Sequence, residues 1–108
     1  YSDIIEIAKD QIRKTYMSDE ISLNTIAAEV GMSPSYFSSI FSKEMGKTFV
    51  EYLTEIRMDR AKELLMCSSM KTSEIGYEVG YKDPHYFSYI FKKTQNCTPK
   101  EFRARGKE

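Results

Sequence analysis

Hydroxyl, imidazole, phenol and ammonium groups stand at one-face helical spacing in two stretches of this chain. In the first, Ser35, Ser38, Ser39 and Ser42 recur at i, i+3, i+4 and i+7, positions that share one side of an α-helix. In the second, His85, Ser88, Tyr89 and Lys92 repeat that spacing. Serine is a mediocre helix former and adds little to a solvated face. A surface that must lie close to another polar body, and exchange hydrogen bonds with it, favours such short hydroxyls. The second stripe is better equipped, with an imidazole, a phenol and a fixed positive charge. Alone, the serine stripe fits a solvated face equally well; the recurrence of the stripe favours a contact surface.

Covalent or metal chemistry has no comparable support. There is no nucleophile–base pair at plausible spacing, no phosphate-cradling glycine loop and no metal cluster, so neither an enzyme nor a cofactor is expected. His85 is the single histidine, and a metal site needs partners it lacks. Cys67 and Cys97 match neither a zinc spacing nor a paired framework, which predicts inert thiols in a reducing cytoplasm. No apolar run approaches membrane length, so no membrane partner is expected. The N-terminus lacks the plan of a signal peptide. The chain opens on Tyr1 rather than Met, as a piece of a longer protein would, with any sensing domain outside it.

Charge sharpens the choice of partner. The 16 basic and 16 acidic side chains cancel, which by itself argues against a polyanion. Their distribution is uneven. Residues 1–32 carry a balance of −3 and residues 33–81 a balance of −1. Residues 82–108 hold Lys82, Lys92, Lys93, Lys100, Arg103, Arg105 and Lys107 against Asp83, Glu101 and Glu108, a balance of +4. A basic C-terminal quarter can attract an anionic partner, although a basic end is often only solvated.

The elements that must position the two stripes read as helices throughout. The run from Thr48 to Met66 places Phe49, Tyr52, Leu53, Ile56, Ala61, Leu64 and Leu65 on one helical face,. Thr48 and Glu51 form a capping box at its start, and its length is roughly 28 Å at 1.5 Å per residue. Ser2 or Asp3 caps a first helix carrying Ile4, Ile5, Ala8 and Ile12 to about Tyr16. Ser22 caps a short helix ended by Gly31, and Ser33-Pro34 starts the next, which stops at Gly46. Thr72 or Ser73 opens a second such pair, in which Gly80, Asp83-Pro84 and Asn96 take the corresponding roles. Thr98-Pro99 begins a last helix to about Arg103.

The two pairs are copies of one motif. Ile26, Val30 and Gly31 correspond to Ile75, Val79 and Gly80. After one extra residue in the second turn, Tyr36, Phe37, Ile40, Phe41, Lys43 and Thr48 correspond to Tyr86, Phe87, Ile90, Phe91, Lys93 and Thr98. Two copies are too few for a solenoid. Two short helices across a tight glycine-containing turn make a helix-turn-helix, and small Ala27 and Gly76 at equivalent sites would let the paired helices approach closely. The expected fold class is all-α.

On IAAEVGMSPSYFSSIF, Gly46, Thr48, Tyr52, Arg57, Ala61, Leu64-Leu65 and IGYEVGYKDPHYFSYIFKKTQNCTPKEFR, the chain resembles the C-terminal DNA-binding domain of AraC/XylS-type bacterial transcription regulators. The resemblance covers nearly the whole chain. It implies seven helices in two helix-turn-helix subdomains, residues 1–47 and 67–108, joined by a linker helix over 48–66. It also implies that the second helix of each pair enters a segment of the major groove of double-stranded DNA. Such domains usually follow a ligand-binding or phosphoreceiver domain, and the head of this chain looks most like outputs of response regulators. RNA polymerase is the further partner expected.

Individual residues follow from the residue types and this resemblance together. Ser35, Ser38, Ser39, Ser42, His85, Ser88 and Tyr89 are the expected base readers. Lys43, Lys47, Lys92, Lys93 and Lys100 are the expected phosphate contacts, which position the protein without specifying sequence. The family often has Arg at the positions of Ser39 and Tyr89, and Lys or Arg at Ser42. Arg is the side chain that bonds guanine bidentately, so its absence predicts modest affinity for the isolated domain. Tyr36, Phe37, Phe41, Tyr86, Phe87 and Phe91 are expected in the core, and Met58, Met66 and Met70 as packing. Arg57 is expected to pair with a carboxylate on the linker helix. The competing reading is a helical protein-interaction module, for example one contacting RNA polymerase, with little intrinsic DNA affinity.

Overall fold

The computed structural model describes residues 1–106; Lys107 and Glu108, counted in the basic C-terminal quarter, lie outside the described residues. Those described form seven α-helices and no strand: α1 Ser2–Thr15, α2 Leu23–Glu29, α3 Pro34–Met45, α4 Phe49–Cys67, α5 Thr72–Glu78, α6 Pro84–Gln95 and α7 Pro99–Gly106. They divide into two compact units. One comprises Tyr1–Tyr16 and Glu20–Ile56; the other comprises Met17–Asp19 and the chain from Arg57 onward. The linker helix α4 thus supplies its first half to one unit and its second half to the other.

Local chemistry explains most helix ends. Ser22, Ser33 and Asp83 accept hydrogen bonds from backbone N–H groups of α2, α3 and α6, satisfying donors that have no partner inside the helix. Thr48 and Glu51 close the expected capping box on α4, at 2.9 and 3.1 Å. Thr98 and Glu101 build the same device on α7, at 2.8 and 3.0 Å. Two expected caps differ. α1 begins at Ser2 behind Tyr1 with no side-chain cap, so Ser2 and Asp3 are helical residues, and Asp3 complements the positive helix end. α5 starts at Thr72 behind Lys71, whose N–H donates to Glu74 at 3.0 Å; here Glu74 does the capping, and neither Thr72 nor Ser73 does. α7 runs one turn beyond Arg103, to Gly106.

The turns inside the two copies are alike bond for bond. Gly31 N–H donates to Ala28 O and Met32 N–H to Ala27 O; Gly80 N–H donates to Tyr77 O and Tyr81 N–H to Gly76 O. This is the Schellman arrangement, in which a left-handed residue lets the chain fold back onto the last helical carbonyls. Gly46 and Asn96 end α3 and α6 with φ of 71° and 64°. Asparagine is the side chain, after glycine, that adopts this region at modest cost.

Each unit has its own core. In the first, Phe37 and Phe41 are fully buried with Ile26, Ala27, Phe49, Tyr52 and Leu53. Phe41 packs edge-on against Phe49 and Tyr52, with ring centroids 6.1 and 5.6 Å apart. In the second, Phe87 and Phe91 are buried with Ile75, Val79 and Tyr81, and Phe91 meets Phe102 at 5.8 Å. Burying each such ring contributes roughly 1.5–3 kcal/mol. A methyl group on Gly76 would lie 3.0 Å from a Phe87 ring carbon, so α5 and α6 touch where the small residue permits.

The duplication also reaches further than the sequence alignment suggests. Ile5, Ala8 and Ile12 of α1 are buried in the first core, and Met58, Ala61 and Leu65 of α4 are buried in the second with the same spacing. Each unit therefore consists of a leading helix, a helix-turn-helix and a closing turn with a Thr–Glu capping box.

Candidate nucleic-acid interface

Ser33-Pro34 and Asp83-Pro84 fix where α3 and α6 begin, and so fix which side chains share a face. On α3, Ser35 and Ser39 are exposed, Ser38 and Ser42 half-buried, and Lys43 exposed in the last turn. On α6, Asp83 accepts the N–H of His85 at 2.9 Å, holding the first turn in place. His85 and Tyr89 are exposed, Ser88 is half-buried, and Lys92 and Lys93 are exposed in the last turn. Ser88, Tyr89, Lys92 and Lys93 line one shallow groove of about 570 Å³, together with Asn96 and Thr98. The Lys93 ammonium lies 5.8 Å from the centre of the Tyr89 ring, a cation–π distance. α6 contains no acidic residue.

The other lysines are placed differently. Lys100 is exposed on α7. Lys47 is held by Glu55, whose carboxylate lies 2.8 Å away and keeps the ammonium above its usual range through that hydrogen bond. Its charge is already partnered within the first unit.

Several expectations are corrected. Tyr36 and Tyr86 are not core: they are 46% and 52% exposed, whereas the adjacent Phe37 and Phe87 are fully buried. These two sit one helical step off the buried stripe, where no neighbour fully covers them. Tyr36 stands edge-on to Tyr1, and their hydroxyls meet. Met66 is also exposed, while its tip closes over Gly106; Met58 is buried as expected.

Arg57 was expected to meet a carboxylate of α4. The acids of that helix are engaged elsewhere: Glu55 with Lys47, Asp59 with Lys62 and Glu63 with Arg60. The buried Arg57 guanidinium instead donates to Ser18 O at 2.9 Å and lies 4.9 Å from the Tyr81 ring centre. Burial pushes its pKa down, and Tyr81 and Asp19 oppose that shift.

Arg103, counted with the basic C-terminal quarter, has a structural role. It donates to the carbonyls of Leu65, Leu64 and Ser68, at 2.9, 3.4 and 3.1 Å, and so closes the C-terminal end of α4. Charge counting could not distinguish it from the exposed lysines. Cys67 is exposed and Cys97 buried, both free. No described helix is long and apolar enough to cross a membrane.

Comparison with known proteins places this geometry in a family. Residues 26–105 match the family model described as a helix-turn-helix domain. An uncharacterized HTH-type transcriptional regulator of Pseudoalteromonas carrageenovora is 36% identical over 100 residues, covering 93% of this chain and 58% of that protein. The C-terminal domain of AraT, a response regulator from Geobacillus stearothermophilus, superposes with a TM-score of 0.92 at 35% identity, over 94% of this chain and 84% of that one. A transcriptional regulator from Chromobacterium violaceum, described by its AraC-type DNA-binding domain, superposes with a TM-score of 0.85 at 27% identity, over 97% and 93%. The chain spans less than two thirds of the length of the curated relatives it matches. With the duplicated helix-turn-helix, the matched residues and these superpositions together, the chain belongs to the AraC-type helix-turn-helix family of DNA-binding domains.

Proposed function

We propose that this chain is the sequence-specific output domain of a bacterial transcription regulator, with α3 and α6 as the helices that enter successive segments of the major groove. The observation that carries this reading is α6. It presents His85, Ser88 and Tyr89 beside Lys92 and Lys93 on a helix without a single acid. Ser35, Ser38, Ser39 and Ser42 are the corresponding readers on α3, with Lys43 as a phosphate contact there. Lys92, Lys93 and Lys100 contact phosphates around the second site, and Lys47, shared with Glu55, contributes less. An N-terminal receiver domain, RNA polymerase and a cytoplasmic setting complete the proposal. Resemblance to response-regulator C-terminal domains supports the first of these.

Zero net charge and serines where arginines often stand favour the second reading, a protein-interaction module. Salt separates the two. Counterion release makes DNA binding fall steeply with added salt. Lys92→Ala and Lys93→Ala should each lower the magnitude of the salt slope by about 1, nearly equally for all sequences. Duplex binding that is absent at low salt, or indifferent to salt, would move the chain to the interaction-module reading.

A further inference from the structure

Tyr81, Tyr86 and Tyr89 form a ladder of rings that climbs from the core of the second unit to its surface. Tyr81 is buried; its ring centroid lies 5.9 Å from that of Tyr86, which lies 6.3 Å from that of Tyr89. A cation stands at each end: Arg57 is 4.9 Å from the Tyr81 centroid and Lys93 is 5.8 Å from the Tyr89 centroid. The outer two rings are 52% and 58% exposed on the first half of α6. Such rings offer a large apolar surface with only two side-chain torsions to restrain, and the hydroxyl stays wet.

We propose that Tyr86 and Tyr89 together form an apolar reading edge that selects thymine, through its 5-methyl group, in the half-site met by α6. The proposal rests on the DNA-binding reading above and names the chemistry that this helix prefers. Three observations favour duplex DNA as the occupant. The ring edge lies between the imidazole of His85 and the ammonium groups of Lys92 and Lys93, so charge is complementary to phosphate on a helix without acids. The contacts among the rings support the outer two from beneath, so they meet a partner as a formed surface. In the major groove, thymine is the base whose edge ends in a methyl group, and apolar side chains recognise it by contact. Arginine at position 89 would favour guanine instead.

Deoxyuridine lacks that methyl group and keeps thymine's pairing, so it isolates the contact. The test uses a duplex selected by the 108-residue chain, with each thymine replaced in turn by deoxyuridine. One or two positions should lose affinity about fourfold each, the factor for one buried methyl-sized group. The same loss should vanish in Tyr86→Ala/Tyr89→Ala and persist in Tyr86→Leu/Tyr89→Leu, which keeps an apolar edge. Thermal melting should show both variants fully folded at the binding temperature, because about half of each ring is already exposed.

Binding that stays salt-dependent while no thymine responds overturns the proposal and leaves the DNA-binding reading intact. A selected site without thymine does the same, as does a deoxyuridine loss that survives the double alanine variant. Loss of salt-dependent binding to any duplex overturns the DNA-binding reading, and the proposal with it.

Discussion

Tyr36 and Tyr86 stand one residue from Phe37 and Phe87, and burial follows the helix face rather than the hydroxyl: the phenylalanines are closed in and these tyrosines are half exposed, whereas Tyr52 and Tyr81 are buried. Side-chain identity also separates the two proposed reading faces. The α3 face offers short hydroxyls; the α6 face offers an imidazole and a phenol that reach further, which on the proposed function makes α6 the more discriminating. Ser38→Ala with Ser39→Ala should therefore relax sequence preference less than His85→Ala with Tyr89→Ala, measured by selecting DNA fragments with each double variant. A larger relaxation from the serine pair would reverse the division of labour. Arginine shows the opposite lesson: Arg57 and Arg103 serve carbonyls inside the second unit, so a count of basic residues overstates the charge available to a partner.

Helix ends carry the energetics at the next scale. The backbone N–H of Thr48, then its hydroxyl, holds the Glu51 carboxyl below its usual range. Thr98 does the same for Glu101. A depressed folded-state pKa gives a contribution that is complete above the unfolded value of about 4.3 and is lost as pH falls through the lower folded value. The stability of the parent should therefore decline between roughly pH 5 and 3 more steeply than that of Glu51→Gln/Glu101→Gln, measured as urea midpoints across that range. At the other end of α4, Arg103 donates to the carbonyls of Leu65 and Ser68 and shares that of Leu64 with the Ser68 N–H. Hydrogen bonds from a charged donor contribute roughly 1.5–3 kcal/mol. Arg103→Ala should lower the denaturant midpoint by an amount worth about 2 kcal/mol at unchanged m value, and an unshifted midpoint would make the clamp energetically idle.

Over the whole molecule, two helix-turn-helix units share one continuous 19-residue helix, roughly 28 Å long at 1.5 Å per residue. Major-groove segments on one face of a duplex recur about every 34–36 Å, or 10–10.5 base pairs. The proposed mode of binding gives one chain two unlike half-sites about one turn apart, and bending of the DNA can absorb part of the difference. Inserting about five base pairs between the half-sites moves one to the far side of the duplex, and inserting about ten restores the face at too great a distance. Both insertions should reduce affinity, measured by competition, to that of a single half-site. Tight binding after the five-pair insertion would mean that only one unit reads DNA or that the units act independently.

Turn chemistry and repeated apolar spacing are local, and they determined the seven helices, the Ser33-Pro34 and Asp83-Pro84 starts, the Asn96 stop and the family resemblance. The same spacing puts Ser35, Ser39, His85 and Tyr89 on the exposed faces they occupy. A helical period, however, resolves a face only to within about one residue in either direction. The boundary residues Tyr36 and Tyr86 could therefore be assigned to solvent only by the neighbours that leave them uncovered. The caps at Tyr1 and Lys71 were missed because neither side chain advertises a cap; backbone and Glu74 supply what exists there. The partners of Arg57 and Arg103 lie 39 and 38 residues away in the chain. No spacing rule reaches so far: packing brings a carbonyl to each guanidinium, and the tertiary structure alone decides which cations remain for a partner.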